Sequence, residues 1–133
     1  MTERKIDMSP EAANIAAQMR ATGLVVRDLD NLEQYRKDVR ESLEAYVHKA
    51  LEAFSGEIED VEIAGISCIQ LTPANWSIDS GLCIQYAYGG GYVCGSTYED
   101  LIITAPLAQR TTARIVMVGY RLSPEHPYPE PQQ

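Results

Sequence analysis

The fold of this chain is decided by residues 83–96, which read CIQYAYGGGYVCGS. Residues 82–87 form a mostly apolar run, which is typical of a strand buried on both faces of a sheet. Three consecutive glycines follow, and a glycine backbone can take positive φ while leaving its amide hydrogens uncovered by side chains. Amides of this kind can hold an anion. The stretch therefore predicts a buried strand that runs into a turn with accessible amides.

Two familiar phosphate-binding motifs do not fit this glycine turn. A Walker-type phosphate loop requires GxxxxGK[ST], and a dinucleotide fingerprint requires GxGxxG at the start of a helix. Cys94 occupies the position of the third glycine, and Gly95 comes one residue too late. Considered alone, the turn leaves two interpretations equally open, namely a plain tight turn and an anion-binding loop.

A second buried strand is predicted over residues 113–118, which read ARIVMV. Between the two strands, apolar residues recur at helical spacing, namely Leu101, Ile102, Ala105 and Ala108. The three segments together predict a strand, helix, strand crossover of the α/β class. Pro106 lies within the helical pattern and predicts a kink or an early break there.

A change of period near Gly56 divides the chain into two parts. After Gly56 the period is two, because Val61 and Ile63 flank a glutamate and residues 69–71 repeat the alternation. Gly65 suits the turn between these segments, which predicts a β-hairpin. Residues 1–55 are therefore predicted to form a helical part, and residues 56–133 an α/β part.

Two helices are predicted before this boundary. Ser9 caps the first helix and Gly23 ends it, whereas Asn31 and Gln34 form a capping box for the second, which Gly56 ends. The second helix has a long apolar face, made of Leu32, Tyr35, Val39, Leu43, Tyr46, Val47, Ala50, Leu51 and Phe54. Its opposite face is predicted to be solvated and to pair Glu33 with Lys37; it carries Glu33, Arg36, Lys37, Arg40, Glu41, Glu44 and Lys49.

The charge of the chain argues against nucleic acid as a partner. Eleven Lys and Arg residues against nineteen Asp and Glu residues give a net charge of −8, so no basic stripe can neutralise phosphates. No run of about eighteen apolar residues occurs, so no membrane span is predicted, and no apolar segment follows the charges of the N-terminus, so a cytoplasmic location is the default expectation. Cys68, Cys83 and Cys94 lack metal-ligand spacing, so neither a metal site nor a cofactor is predicted.

Two segments together resemble the hormone-sensitive-lipase family of α/β-hydrolases, whose bacterial members are also called family IV esterases. Residues 83–101 read CIQYAYGGGYVCGSTYEDL, and residues 118–129 read VGYRLSPEHPYP. In that family an apolar strand runs into HGGG, a GS dipeptide follows, and a VDYRLAPEHPFPA segment ends the next strand. The resemblance implies a partial α/β-hydrolase core over residues 56–133, preceded by an N-terminal helical cap over residues 1–55.

The resemblance also implies a chemistry, which is ester hydrolysis through a serine acyl-enzyme. Gly89 and Gly90 match the loop glycines whose amides hold the oxyanion, and Gly91 lets the loop turn away. Tyr92 falls beside this site, where it either lines a substrate pocket or packs under the cap. The implied substrate is a carboxylic ester with a short or medium acyl chain, and no cofactor is implied.

A second group of residues is implied to support this loop. In the family, the positions of Arg121 and Glu125 brace the segment behind the oxyanion turn. Tyr88 stands where the family usually has histidine, so a hydroxyl takes the place of an imidazole, and Gly119 replaces an aspartate. His126 lies among prolines in a rigid extended stretch and is not predicted to be the catalytic base.

The catalytic triad is the part of the family pattern that these residues lack. No Gly-x-Ser-x-Gly motif occurs in residues 1–133, so the chain is expected to end before the nucleophile elbow and to be inactive alone. We expect a partner, either the C-terminal hydrolase portion or a second copy of the chain in a homo-oligomer. Two alternatives to an esterase stay open: a small-molecule binding protein on the same fold, as the gibberellin receptor is, and a non-catalytic remnant.

Overall fold

The computed structural model describes residues 9–22, 30–79 and 81–132. In these ranges the chain forms, in order, helix α1 (Pro10–Thr22), helix α2 (Leu32–Ala53), strand β1 (Gly56–Ile63), strand β2 (Ile66–Pro73), strand β3 (Cys83–Ala87), helix α3 (Leu101–Thr111), strand β4 (Arg114–Val118) and a 3-10 turn (Glu130–Gln132). Two helices therefore precede a mixed strand and helix region, and the predicted α/β class is confirmed.

The strands form one sheet in the order β1, β2, β4, β3. β2 is antiparallel to both β1 and β4, whereas β3 and β4 are parallel and are connected through α3. This connection is the predicted crossover. The predicted hairpin is also present, because β1 and β2 are joined by Ala64 and Gly65. Both residues have positive φ, 53° and 80°, which matches the twist of a tight two-residue hairpin turn.

One face of the sheet carries the hydrophobic core. Leu71 of β2 and Ile115 of β4 are paired in register, and both are fully buried, as is Met117. Each large side chain buried in this way contributes about 1.5–3 kcal/mol. The helices cover this face with Val47 from α2 and with Leu101, Ala105 and Ala108 from α3.

The opposite face of the sheet is not covered by α2 or α3. In β3, Cys83, Gln85 and Ala87 are exposed, whereas Ile84 and Tyr86 are half-buried on the core side. The prediction that residues 82–87 are buried on both faces is thus wrong for the described part of the chain. The reason is that a strand is covered on both faces only when helices pack on both sides of the sheet.

Helix α2 begins and packs differently from the prediction. Asn31 makes no side-chain capping hydrogen bond, and Gln34 donates to the Asp38 carboxylate at 2.7 Å instead of closing a capping box. The helix ends at Ala53, so Gly56 opens β1 rather than ending α2. Val47 is its buried residue, and Ala50, Leu51 and Phe54 are half-buried against the core. Tyr46, predicted to be on the apolar face, is 65% exposed.

The ion pair predicted on α2 is also different. Lys37 Nζ lies 3.8 Å from a Glu41 carboxylate oxygen, and both side chains are well exposed. The prediction paired Lys37 with Glu33, one turn in the other direction. Exposed pairs at this spacing differ by only a few tenths of a kcal/mol, so spacing alone does not decide between two glutamates.

Helices α1 and α3 were predicted with mixed success. The Ser9 hydroxyl accepts a hydrogen bond from the Ala12 amide at 3.3 Å, as an N-terminal cap does, whereas Gly23 lies outside the described residues. Helix α3 continues through Pro106 to Thr111, so the predicted early break does not occur. Residues buried on both sides of this proline hold the helix on the sheet, namely Leu101, Thr104, Ala105 and Ala108.

The proposed division at residue 56 stays a prediction. It coincides with the change from helix to strand, but Val47 of α2 belongs to the same core as Leu71 of β2. No helix within the described ranges is both long and apolar enough to cross a membrane.

Candidate functional site

A cavity of about 820 Å³ lies on the uncovered side of the sheet, at the carboxyl ends of β3 and β4. Its walls are the tip of the β1–β2 hairpin, residues 118–121, residues 130–131 and the glycine turn that follows β3. In open α/β sheets, ligands bind in the crevice outside the carboxyl ends of parallel strands. The predicted residues lining this cavity are Tyr88, Gly89, Gly90, Gly91, Tyr92 and Arg121.

The backbone of the glycine turn explains the need for glycine at two of its three positions. Gly90 has φ of 137° and Gly91 has φ of 63°, values that favour glycine. A Cβ added to Gly90 would lie 1.7 Å from the Cys94 carbonyl oxygen, so a side chain there has no space. A Cβ added to Gly89 would meet nothing within 4 Å. The glycine at position 89 is therefore not required by its neighbours in this structure.

The Gly89 amide points to a carboxylate that the sequence analysis did not identify. It donates to Asp100 Oδ2 at 3.3 Å, and the same oxygen accepts a 2.9 Å hydrogen bond from the Tyr86 hydroxyl. Burial raises the pKa of Tyr86 to about 12, and the hydrogen bond to Asp100 and its charge add to this increase. Asp100 directly precedes α3. An acidic residue in front of the predicted helix was therefore the feature of the sequence that could have identified Asp100 as part of the site.

Tyr88 and Tyr120 join the ends of the two parallel strands by a reciprocal contact. The Tyr88 hydroxyl donates to the Tyr120 carbonyl oxygen, and the Tyr120 hydroxyl donates to the Tyr88 carbonyl oxygen, each at 2.6 Å. Their rings are stacked with centroids 4.0 Å apart. Tyr88 is buried, and burial raises its pKa to about 12, with Tyr120 and Glu99 adding to the increase. The Tyr88 side chain thus reaches from the start of the glycine turn to the segment after β4, and its role as a support of the loop stays a prediction.

Tyr92 lies on the wall of the cavity and is 49% exposed. Its ring is tilted against that of Tyr120, with centroids 5.7 Å apart, and its φ of 61° is in the left-handed region. The Tyr92 carbonyl oxygen accepts a 2.7 Å hydrogen bond from the Ser123 amide. Tyr92 thus lines the cavity, and its backbone is held to the proline-rich segment, residues 123–131, whereas its role in a substrate pocket stays a prediction.

Arg36 connects α2 to the end of the glycine turn and to the proline-rich segment, although it was predicted to lie on a solvated face. Its Nε donates to the Val93 carbonyl oxygen at 2.8 Å, and Nη2 donates to the Ser123 carbonyl oxygen at 2.9 Å. Its Nη1 and Nη2 also hold the two carboxylate oxygens of Glu125 at 2.7 and 3.0 Å. The prediction of solvation is wrong because the partners are 57 to 89 residues away, beyond any helical spacing.

The two predicted bracing residues, Arg121 and Glu125, behave differently. Glu125 reaches the loop through Arg36, and the hydrogen bonds from Arg36 lower the pKa of Glu125 to about 2. Arg121 is exposed on the cavity wall, where Nη1 lies 3.6 Å from Glu130 Oε2. His126 Nδ1 shares that oxygen at 2.8 Å, outside the cavity lining. His126 is thus engaged in a local contact of the proline-rich segment.

Among the residues that the structure describes, no group of three His, Cys, Asp or Glu side chains could hold a metal ion. Cys68 and Cys94 are buried and Cys83 is exposed, and all three are free thiols. The two buried cysteines pack as small side chains, whereas Cys83 lies on the uncovered face of the sheet.

Comparison with known proteins shows which proteins this arrangement is similar to. A family profile described as alpha/beta hydrolase fold matches residues 84–133. A curated esterase from Acinetobacter venetianus is 40% identical over 47 residues, which are 35% of this chain and 16% of that protein. The matched profile begins within β3 and includes the glycine turn, α3, β4 and the proline-rich segment.

Solved structures extend the similarity to almost the whole chain. A hyperthermophilic esterase from the archaeon Pyrobaculum calidifontis is similar with a TM-score of 0.71 and 28% identity, covering 94% of this chain and 40% of that one. A hormone-sensitive lipase from a metagenome library has a TM-score of 0.66 and 27% identity, covering 93% of this chain and 38% of that one. The chain thus spans about two fifths of these solved relatives and a smaller share of the curated one. Its fold is that of the α/β-hydrolases, and the chain is similar to a segment of esterases and lipases of the hormone-sensitive-lipase type.

Proposed function

We propose that this chain supplies the oxyanion-binding part of a carboxylic ester hydrolase that works through a serine acyl-enzyme. The observation that carries the proposal is the glycine turn at the carboxyl end of β3, which lines a cavity of about 820 Å³. Attack on an ester carbonyl moves negative charge onto its oxygen, and preorganised backbone amides stabilise that charge. Each such donor contributes about 3 kcal/mol to transition-state stabilisation in comparable acyl-transfer sites.

The contacts of the glycine turn indicate different roles for its three glycines. The Gly89 amide already donates to Asp100, which anchors the start of the turn to α3. The resemblance implies Gly89 and Gly90 as the oxyanion donors; because the Gly89 amide donates to Asp100, we instead assign the oxyanion contact chiefly to the amides of Gly90 and Gly91. Both residues take positive φ and line the cavity, and the lack of side chains lets a carbonyl group approach their backbone.

The nucleophile of this proposed reaction comes from outside residues 1–133, since no Gly-x-Ser-x-Gly motif occurs in them. His126 is not assigned as the base, because its ring binds Glu130 and does not line the cavity. The uncovered sheet face and the β3 edge are where we place the remaining hydrolase portion, rather than a second copy of the chain. The ester substrate occupies the cavity between the turn and that portion, with Tyr92 on its wall. A cytoplasmic location also stays a prediction.

The proposal is tested on the natural gene product that contains residues 1–133. Its intact mass and coding sequence show whether a Gly-x-Ser-x-Gly serine is present, and hydrolysis of p-nitrophenyl acetate and butyrate measures turnover. We expect the serine, measurable hydrolysis, and loss of hydrolysis when that serine is replaced by alanine. A product without the serine, or one that binds esters without turning them over, contradicts the proposal. The second result would instead indicate a binding protein on this fold.

A further inference from the structure

We propose that Arg36 of α2 is a positioning residue for the oxyanion turn, because one guanidinium holds the turn and the proline-rich segment in a fixed relation. The inference rests on the proposed function, since it concerns the geometry of that same site. Arg36 does not line the cavity. It acts on the turn through the carbonyl oxygen of Val93, two residues after Gly91.

The turn needs an external support because its backbone is in a costly conformation. Gly91 and Tyr92 have φ of 63° and 61°, and a tyrosine in the left-handed region persists only when its surroundings hold it there. The carbonyl groups of two successive residues of the turn accept hydrogen bonds from outside it. The Tyr92 carbonyl accepts from the Ser123 amide at 2.7 Å, and the Val93 carbonyl accepts from Arg36 at 2.8 Å.

Arg36 also fixes the segment that supplies the first of these supports. Its Nη2 donates to the Ser123 carbonyl oxygen at 2.9 Å. Ser123, whose amide binds the Tyr92 carbonyl, is therefore itself fixed by Arg36. Glu125 orients the guanidinium by accepting from both Nη atoms, at 2.7 and 3.0 Å. The four hydrogen bonds leave from three nitrogens of one planar group. A lysine ammonium has three donors on a single atom and cannot serve these four acceptors together.

The Arg36 contacts are expected to affect the geometry of the glycine turn more than the overall stability of the chain. The side chain of Glu125 is 54% exposed, and ion pairs in such surroundings contribute little to the stability of a fold. Catalytic geometry is more sensitive, because a misplacement of about 1 Å can lower a rate roughly 100-fold. Loss of Arg36 is therefore expected to disturb the turn while the sheet and α3 stay folded.

The first experiment measures the turn without any catalytic assay. Hydrogen exchange is followed in the chain for Val93, Cys94 and Ser123, whose amides donate within or onto the turn. R36Q is expected to speed this exchange about tenfold, with exchange in α3 unchanged. The matched control is K37Q, which alters the neighbouring residue and removes only an exposed pair with Glu41. If R36Q does not fold, R36K is measured in its place and is expected to show the same local acceleration.

The second experiment measures catalysis in the complete gene product. R36Q is expected to lower kcat by about 10- to 100-fold at nearly unchanged KM, because the transition-state donors move while the cavity remains. K37Q is expected to match the unaltered protein. Equal exchange in the Arg36 and Lys37 variants, or a drop in turnover that appears wholly in KM, overturns the proposal. If the unaltered protein has no esterase activity, the proposed function fails, and the exchange measurement still decides whether Arg36 positions the turn.

Discussion

Replacement of Gly90 by alanine is the sharpest single perturbation of the glycine turn, and Gly89→Ala is its matched control. At Gly90 the new Cβ would lie 1.7 Å from the Cys94 carbonyl oxygen and 2.5 Å from its carbonyl carbon, so the turn must shift. The φ of 137° adds strain that an alanine does not tolerate. At Gly89 the new Cβ meets nothing within 4 Å, and φ is not in the region that favours glycine.

The magnitudes of the two changes follow from these contacts. A non-glycine residue in a sparsely populated backbone region costs about 1–3 kcal/mol, and relief of the contact with Cys94 adds to this cost. For a domain of this size the strain alone corresponds to a fall in Tm of roughly 4–12 °C. Gly89→Ala is expected to change stability by less than about 0.5 kcal/mol. Displacement of one oxyanion donor lowers kcat about 100- to 1,000-fold.

Thermal unfolding of the chain and ester hydrolysis by the complete gene product measure the two effects separately. We expect Gly90→Ala to lose both stability and turnover, and Gly89→Ala to keep its stability. Equal melting temperatures for the two variants would refute the reasoning from the Gly90 backbone. A Gly90→Ala protein with full turnover would refute the assignment of the oxyanion contact.

Three further predictions concern the Tyr88 hydroxyl, the contact between Arg36 and Glu125, and the ionisation of the buried tyrosines. Tyr88→Phe removes the hydroxyl that donates to the Tyr120 carbonyl and should cost about 0.5–1.5 kcal/mol in urea unfolding, whereas Tyr128→Phe, at a side chain 79% exposed, should cost nothing measurable. The pKa of Glu125 is lowered from 4.5 to about 2, so its stabilising effect is full above pH 4.5 and is lost as pH falls toward 2. The pKa of the Glu125 carboxyl group, followed by NMR titration, should therefore lie well below 4.5 in the unaltered chain and return toward 4.5 in R36Q, and an ordinary pKa in the unaltered chain would contradict the Arg36 contact. The pKa of Tyr86 and of Tyr88 is raised from 10 to about 12, so folding is favoured below pH 10 and this contribution disappears as pH rises toward 12. Burial also raises the pKa of Tyr120, so ultraviolet titration of the folded chain should show three tyrosines that ionise late, and Tyr88→Phe should remove one of them.

Local patterns predicted most of the elements of the sheet and its crossover. The alternation of apolar residues on both sides of Gly65 predicted the hairpin. The apolar runs at residues 82–87 and 113–118, with the helical spacing between them, predicted the parallel strand pair and its crossover helix. These features depend on residues close together in the chain. Burial was predicted less well, because whether β3 is covered on both faces depends on what packs against the sheet and not on its own residues.

The glycine turn was predicted from its composition, but its supports were not. Gly90 and Gly91 take the positive φ expected of them, whereas the engagement of the Gly89 amide by Asp100 requires α3 to be in place. The Arg36 contact was missed for a similar reason, since its partner Glu125 lies 89 residues later. A charged residue on a helix surface looks the same in sequence whether it meets water or a distant loop. Helical spacing therefore assigned Arg36 to solvent.

The order of the strands has a consequence for solubility and for the direction of assembly. Within the described residues the two edges of the sheet are β1 and β3. β1 reads GEIEDVEI, and its four acidic residues repel a second strand of the same kind, which is how natural sheets protect an edge from aggregation. β3 reads CIQYA and carries no charge. Growth of the sheet by a further strand is thus disfavoured at the β1 edge and is not opposed by charge at the β3 edge.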